Sequence, residues 1–116
     1  MKDNLIIITR IKKTIEYVNK TLSNFPKKEI ELKKHIIDDL FVILECCYLA
    51  NNDYEKTKKQ TYALVKISLV DYYLKISYKK DLISKRQYEM VSNHLLEINK
   101  MIRAWKNNNE KKEELI

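Results

Sequence analysis

A chain of 116 residues with no glycine and a single proline, Pro26, has few ways to fold. Tight hairpins and phosphate-cradling loops need residues at positive φ, which glycine supplies at least steric cost. A β-sandwich or a Gly-rich nucleotide loop is therefore all but excluded, and long helices with asparagine-based ends fit better. The length suits one domain, and the 45% apolar content is enough for a core.

Periodicity and punctuation mark four helices. The first spans about 4–22, with Ile8, Ile11, Ile15, Val18 and Leu22 on one seam. Ser23-Asn24-Phe25-Pro26 breaks it, and the proline suits the first turn of a second helix over about 26–49. That helix carries two adjacent stripes, Leu32, Ile36, Leu40, Ile43, Cys47 and Ile37, Phe41, Leu44, Tyr48, so it should touch more than one neighbour. Asn51-Asn52-Asp53 forms the next turn, with Asp53 placed to cap the third helix. The fourth opens on Ser84-Lys85-Arg86-Gln87, a capping box, and continues through Tyr88, Val91, Leu95, Ile98, Ile102 and Trp105. Short loops make neighbours antiparallel, giving an all-α, up-down-up-down four-helix bundle over residues 1–106. Residues 107–116 read as a polar tail, frayed or disordered.

The third helix, about 54–80, is the most informative. Ala63, Ile67, Val70, Leu74 and Tyr78 make one seam, while Val65, Leu69, Tyr72 and Ile76, flanked by Tyr62 and Tyr73, make another on the opposite side. Packing inside a bundle needs only one. Either this helix is buried all round or the far side is an oligomer interface; in so small a domain the interface is the favoured reading.

The net charge is +7, which favours an anionic partner, nucleic acid first, although an AT-rich genome would also enrich lysine, isoleucine and asparagine. The second helix is the acidic one and the third the most basic. Lys56, Lys58 and Lys59 occupy the first turns of the third helix, where the macrodipole disfavours cations, so a functional reason is indicated. Lys79 and Lys80 at its C-terminal end and Lys85 and Arg86 beyond form a basic corner; Arg10, Lys12, Lys13 and Lys20 charge the first helix, and Lys66 and Lys75 complete the candidate set. Most tyrosines lie on or beside apolar seams, which points to phosphate-backbone contacts rather than base reading.

Catalysis is hard to build from these residues. No glutamate lies three residues before His35 or His94, as a di-metal bundle would require. His35 and Asp38 are one turn apart, a spacing more often a surface hydrogen bond than a metal site. Arg86 and His94 are too far apart for a helical ribonuclease of the HEPN type. Cys46 and Cys47 read as buried free thiols of a reducing compartment, hence a cytoplasmic protein. Asp71, at the edge of the inner seam, needs a lysine or tyrosine hydroxyl as partner. The expectation is no enzyme, no metal, no cofactor and no membrane span.

Three stretches carry a family resemblance: Asn24-Phe25-Pro26-Lys27-Lys28-Glu29; Asp81-Leu82-Ile83-Ser84 with Gln87-Tyr88-Glu89; and Leu95, Glu97-Ile98, Met101-Ile102 with Trp105. Together they resemble the four-helix-bundle family of the accessory variability determinant (Avd) of diversity-generating retroelements and the related ribosomal RNA intervening-sequence proteins. The resemblance implies a basic, non-catalytic homopentamer that partners a reverse transcriptase and template RNA or an RNA–DNA hybrid during mutagenic retrohoming. The intervening-sequence branch implies the same bundle without strong nucleic-acid binding. Two positions depart from the Avd pattern: Asp71 and Lys75 stand where outward arginines are common, and Ala104 where glycine often precedes the tryptophan.

Overall fold

Four apolar seams, one per helix, meet along a common axis. A computed structural model describes the backbone of residues 2–115 and the side chains of residues 6–109. Helix α1 spans Lys2–Thr21, α2 Ile30–Asn51, α3 Lys56–Lys79 and α4 Lys85–Leu115, with a 3-10 turn at Lys27–Glu29 before α2. Each helix packs on its neighbours in sequence, and α4 closes the ring on α1. Across α2 and α3, Glu29 meets Lys80, His35 meets Tyr73 and Asp39 meets Lys66. Partner numbers fall on one helix as they rise on the other, which is the mark of an antiparallel pair. Between α3 and α4, Tyr78 meets Tyr88 and Gln60 meets Asn109 in the same sense.

The inward seams are those the spacing predicts. Ile11, Val18, Leu22, Ile36, Leu40, Ile43, Val70, Leu74, Val91, Ile98 and Ile102 are all essentially sealed from solvent. Each such side chain contributes about 1.5–3 kcal/mol of transfer free energy. Tyr78, assigned to the inner seam of α3, is instead exposed at its end, stacked on Tyr88 at 5.7 Å between ring centroids.

The ends of the helices show how a chain without glycine stops. Proline 26 starts the 3-10 turn rather than α2 itself. At the end of α2 the amide of Asp53 bonds the Ala50 carbonyl and that of Tyr54 bonds the Leu49 carbonyl. At the end of α3, Asp81 bonds Tyr78 and Leu82 bonds Ser77. Both are Schellman motifs, whose left-handed residue is usually glycine. Here it is Asp53, at φ 59°, and Asp81, at φ 60°. Asp53 therefore does not cap α3. That position falls to Glu55, also left-handed at φ 45° and without a side-chain capping bond. The capping box of α4 forms as read: the Ser84 amide donates to Gln87 Oε1 (2.9 Å) and the Gln87 amide to Ser84 Oγ (3.1 Å).

Helix α4 does not stop at residue 106. Its backbone stays helical to Leu115, and Asn109 Nδ2 donates to the buried Gln60 Oε1 at 2.9 Å. The polar run after Trp105 is rich in lysine and glutamate, which are strong helix formers, in keeping with that helical backbone.

Candidate nucleic-acid interface

The up-down topology brings four helix termini to each end of the bundle. One end collects the C-termini of α1 and α3, the N-terminus of α4 and the 3-10 turn before α2. Lys20, Lys27, Lys28, Lys79, Lys80, Lys85 and Arg86 are all exposed there. Glu29 takes Lys80 at 2.9 Å, and Glu89 reaches Lys85 only at 4.0 Å. Among the described residues Lys20, Lys27, Lys28, Lys79 and Arg86 have no carboxylate partner. Cations at the C-termini of α1 and α3 are stabilised by the helix dipole, so they cost the fold nothing there.

Local spacing marks Lys27 and Lys28 only as part of the turn after Pro26. Their signal was available, because an up-down bundle must set the start of α2 beside the end of α3.

The other candidate cations lie elsewhere, and several are neutralised. Lys56 pairs with Asp53 at 3.5 Å and lies 5.8 Å over the Trp105 ring; Lys58 pairs with Glu55 at 3.7 Å; Lys59 sits 5.9 Å over Tyr54. The acidic turn before α3 thus offsets the dipole penalty that made these lysines notable. Lys12 sits over Tyr48 at 5.4 Å, and Lys13 with Arg10, Ile6 and Thr9 lines a shallow hollow on α1. Lys75 is exposed and pairs with Asp71 at 3.3 Å, one turn away on α3.

Lys66 is not an outward phosphate contact. Its ammonium lies 3.2 Å from the buried Asp39 Oδ1 and 5.4 Å from the Tyr62 ring. The hydrogen bond to Asp39 pushes its pKa above the ordinary lysine value, against the opposing effect of burial. Asp71 finds the partners its position requires: the hydroxyls of Tyr88 and Ser92 donate to Oδ1, each at 3.4 Å. Burial, then the nearby Asp71 charge, pushes the Tyr88 phenol up.

The outer seam of α3 faces solvent in the subunit. Val65 is 50% exposed, Tyr72 57% and Tyr62 47%; Leu69 and Ile76 are half-buried. Tyr73 belongs elsewhere: it packs against the core and stacks on His35, 5.6 Å between centroids. Cys46 and Cys47 are buried and free. Burial, with a smaller push from Cys46, raises the Cys47 thiol to about 12, leaving it protonated and unreactive at neutral pH. Among the described residues no group of three or more His, Cys, Asp or Glu side chains is arranged to hold a metal, and no helix is long and apolar enough to cross a membrane.

No family model matches the chain, and no curated protein matches it. Among solved structures it is similar to a protein of unknown function from the S23 ribosomal protein family of Bacteroides thetaiotaomicron. The two share 26% identity at a TM-score of 0.79, over 92% of this chain and 99% of that one. The likeness supports a four-helix bundle of the ribosomal intervening-sequence type.

Proposed function

We propose that this protein is a non-catalytic, oligomeric scaffold that binds nucleic acid through the phosphate backbone, in the manner the Avd resemblance implies. It would hold template RNA or an RNA–DNA hybrid for a reverse transcriptase. The observation that carries the reading is the basic end, where Lys20, Lys27, Lys28, Lys79 and Arg86 converge from four separate segments without carboxylate partners among the described residues. A solvated charged face needs no such convergence, whereas a phosphate backbone rewards it. The outer seam of α3 supports the oligomeric part, since a lone subunit leaves it in water.

The intervening-sequence reading, a structural bundle without strong nucleic-acid affinity, draws support from the neutralised lysines on α3 and from the S23 likeness. Salt titration separates the two. If four to five phosphates per subunit are neutralised, affinity for single-stranded RNA falls about a hundredfold between about 50 and 200 mM salt. Lys27→Glu/Lys28→Glu/Arg86→Glu should flatten that slope with the fold intact by circular dichroism. Absence of binding at low salt, or a slope unchanged in the triple variant, refutes the basic end as the interface.

A further inference from the structure

An exposed aromatic ring stands among the cations of the basic end. Tyr78, in the last turn of α3, keeps 37% of its surface in solvent. It lies almost parallel to Tyr88 in the first turn of α4, with 12° between ring planes and 5.7 Å between centroids. Near-parallel, offset stacking is a favoured aromatic geometry. Tyr48, Tyr54 and Tyr62 are exposed too, but each has a lysine ammonium over its ring, at 5.4, 5.9 and 5.4 Å. Tyr78 instead stacks on a second ring, and the two make one flat aromatic surface.

That surface is braced from the α3–α4 groove. The hydroxyls of Tyr88 and Ser92 both donate to Asp71 Oδ1 at 3.4 Å, and Lys75 meets Oδ2 at 3.3 Å. Asp71 thus anchors the ring on which Tyr78 rests. Where the Avd pattern has an outward arginine, this chain has a carboxylate that holds an aromatic in place. Cations flank the pair: Lys79 follows Tyr78 on α3, Lys85 lies one turn before Tyr88 on α4, and Arg86 is next to it. Of the carboxylates nearby, Asp71 is engaged as described and Glu89 reaches Lys85 at 4.0 Å. Asp81, in the connecting turn, is exposed between cations on either side.

We infer that the basic end takes single-stranded rather than duplex nucleic acid, with one nucleobase stacked on Tyr78 while Lys79, Lys85 and Arg86 hold the phosphates beside it. The inference rests on the nucleic-acid reading proposed above and names its substrate class. Every base has a π-face, so a stacking ring binds single strands with little regard to sequence. In a duplex those faces are already covered by neighbouring base pairs, and only edges and phosphates are offered. An anchored ring also loses little freedom when a base settles on it, so more of the stacking energy appears as affinity.

The test measures binding at low salt to three labelled probes with equal numbers of phosphates: a single-stranded RNA of about 12 nucleotides, its abasic counterpart, and an RNA duplex. Wild type should hold the single strand about tenfold more tightly than the abasic strand or the duplex. Tyr78→Ala should bring the single strand down to the abasic level, leave the other two probes unchanged and keep the salt slope, because no phosphate contact is lost. Tyr78→Phe, which retains the ring, should behave as wild type. Equal wild-type affinity for all three probes overturns the stacking inference and leaves phosphate binding at the basic end standing. An unchanged single-strand affinity in Tyr78→Ala, or an equal loss on all three probes, overturns it as well. Absence of binding to every probe removes the nucleic-acid reading itself, and the inference falls with it.

Discussion

Along α3, Ala63, Ile67, Val70 and Leu74 recur at intervals of three and four, and so do Tyr62, Val65, Leu69, Tyr72 and Ile76. The first set is sealed in the bundle; most of the second is exposed. Spacing is therefore shared, and side-chain size and shape divide the two. The inner seam is aliphatic and small enough at Ala63 for close helix approach. The outer seam carries two tyrosines, whose hydroxyls tolerate water while their rings remain available for packing. Helices α1 and α4 bury one seam and expose scattered apolar side chains, Ile6 on the first and Met90 and Leu96 on the second among the described residues. A bundle of this length is complete with four inner seams, and the further apolar surface on α2 and α3 lies outside its core.

The sharpest way to break this contrast is to truncate one residue from each face. Leu74→Ala removes a fully buried side chain and should cost about 2–5 kcal/mol, with the exact loss set by how far the cavity collapses. Val65→Ala, measured in urea with subunits dilute enough to be dissociated, should stay within about 0.5 kcal/mol of wild type. Equal losses would mean that the outer seam is buried within the subunit, and the interface argument would fail.

A smaller effect sharpens the boundary between the faces, where α3 turns toward α2. Asp39→Asn leaves the Lys66 ammonium half-buried with no counter-charge, and should destabilise by about 2 kcal/mol. The exposed pair Lys75–Asp71 is the control: Lys75→Ala should cost less than about 0.5 kcal/mol. The sign with pH follows from the raised Lys66 value. A lysine whose folded pKa lies above its usual 10.5 contributes fully below that value and loses the contribution as pH climbs through the folded one. The lead of wild type over Asp39→Asn should thus hold from neutral pH to about pH 10 and shrink above it. A lead that shrinks on acidification from pH 9 to 7 would assign the effect to another group.

These pairs mark where the sequence stops being readable. Intrahelical features were legible, because a helix fixes its own spacing: the inner seams, Tyr78 apart, and the Ser84–Gln87 box stand in the structure. Features that depend on register between helices were not. Nothing local distinguishes Lys66, tied to Asp39 across 27 residues, from Lys79, which is free among the described residues. Tyr73 and Tyr72 are adjacent, yet one faces α2 and the other solvent. The basic end was only half legible for the same reason: Lys27 and Lys28 join Lys79 and Arg86 through topology, not spacing. Most helix ends fall within one or two residues of where the spacing puts them, but α2 begins about four residues later than expected and α4 runs on to Leu115, and the asparagines that suggest left-handed turns leave that role to aspartates.

The smallest predicted effect lies at one of those aspartates, where α3 stops and both of its faces end. Asp81 holds φ 60° in the Schellman motif, with its amide on Tyr78 and the Leu82 amide on Ser77. A left-handed residue with a Cβ is strained, by about 1 kcal/mol or slightly more, and glycine is not. Glycine also widens the unfolded ensemble, which returns part of the gain. Asp81→Gly should therefore stabilise the subunit by about 0.5 kcal/mol, read as a small rise in the urea midpoint at unchanged slope. The same change removes a carboxylate from the basic end, so RNA affinity at low salt should rise slightly along with stability. A gain in stability with a loss of affinity would mean that Asp81 orders the cations around it rather than opposing them, and the basic end would need to be redrawn with the aspartate inside it.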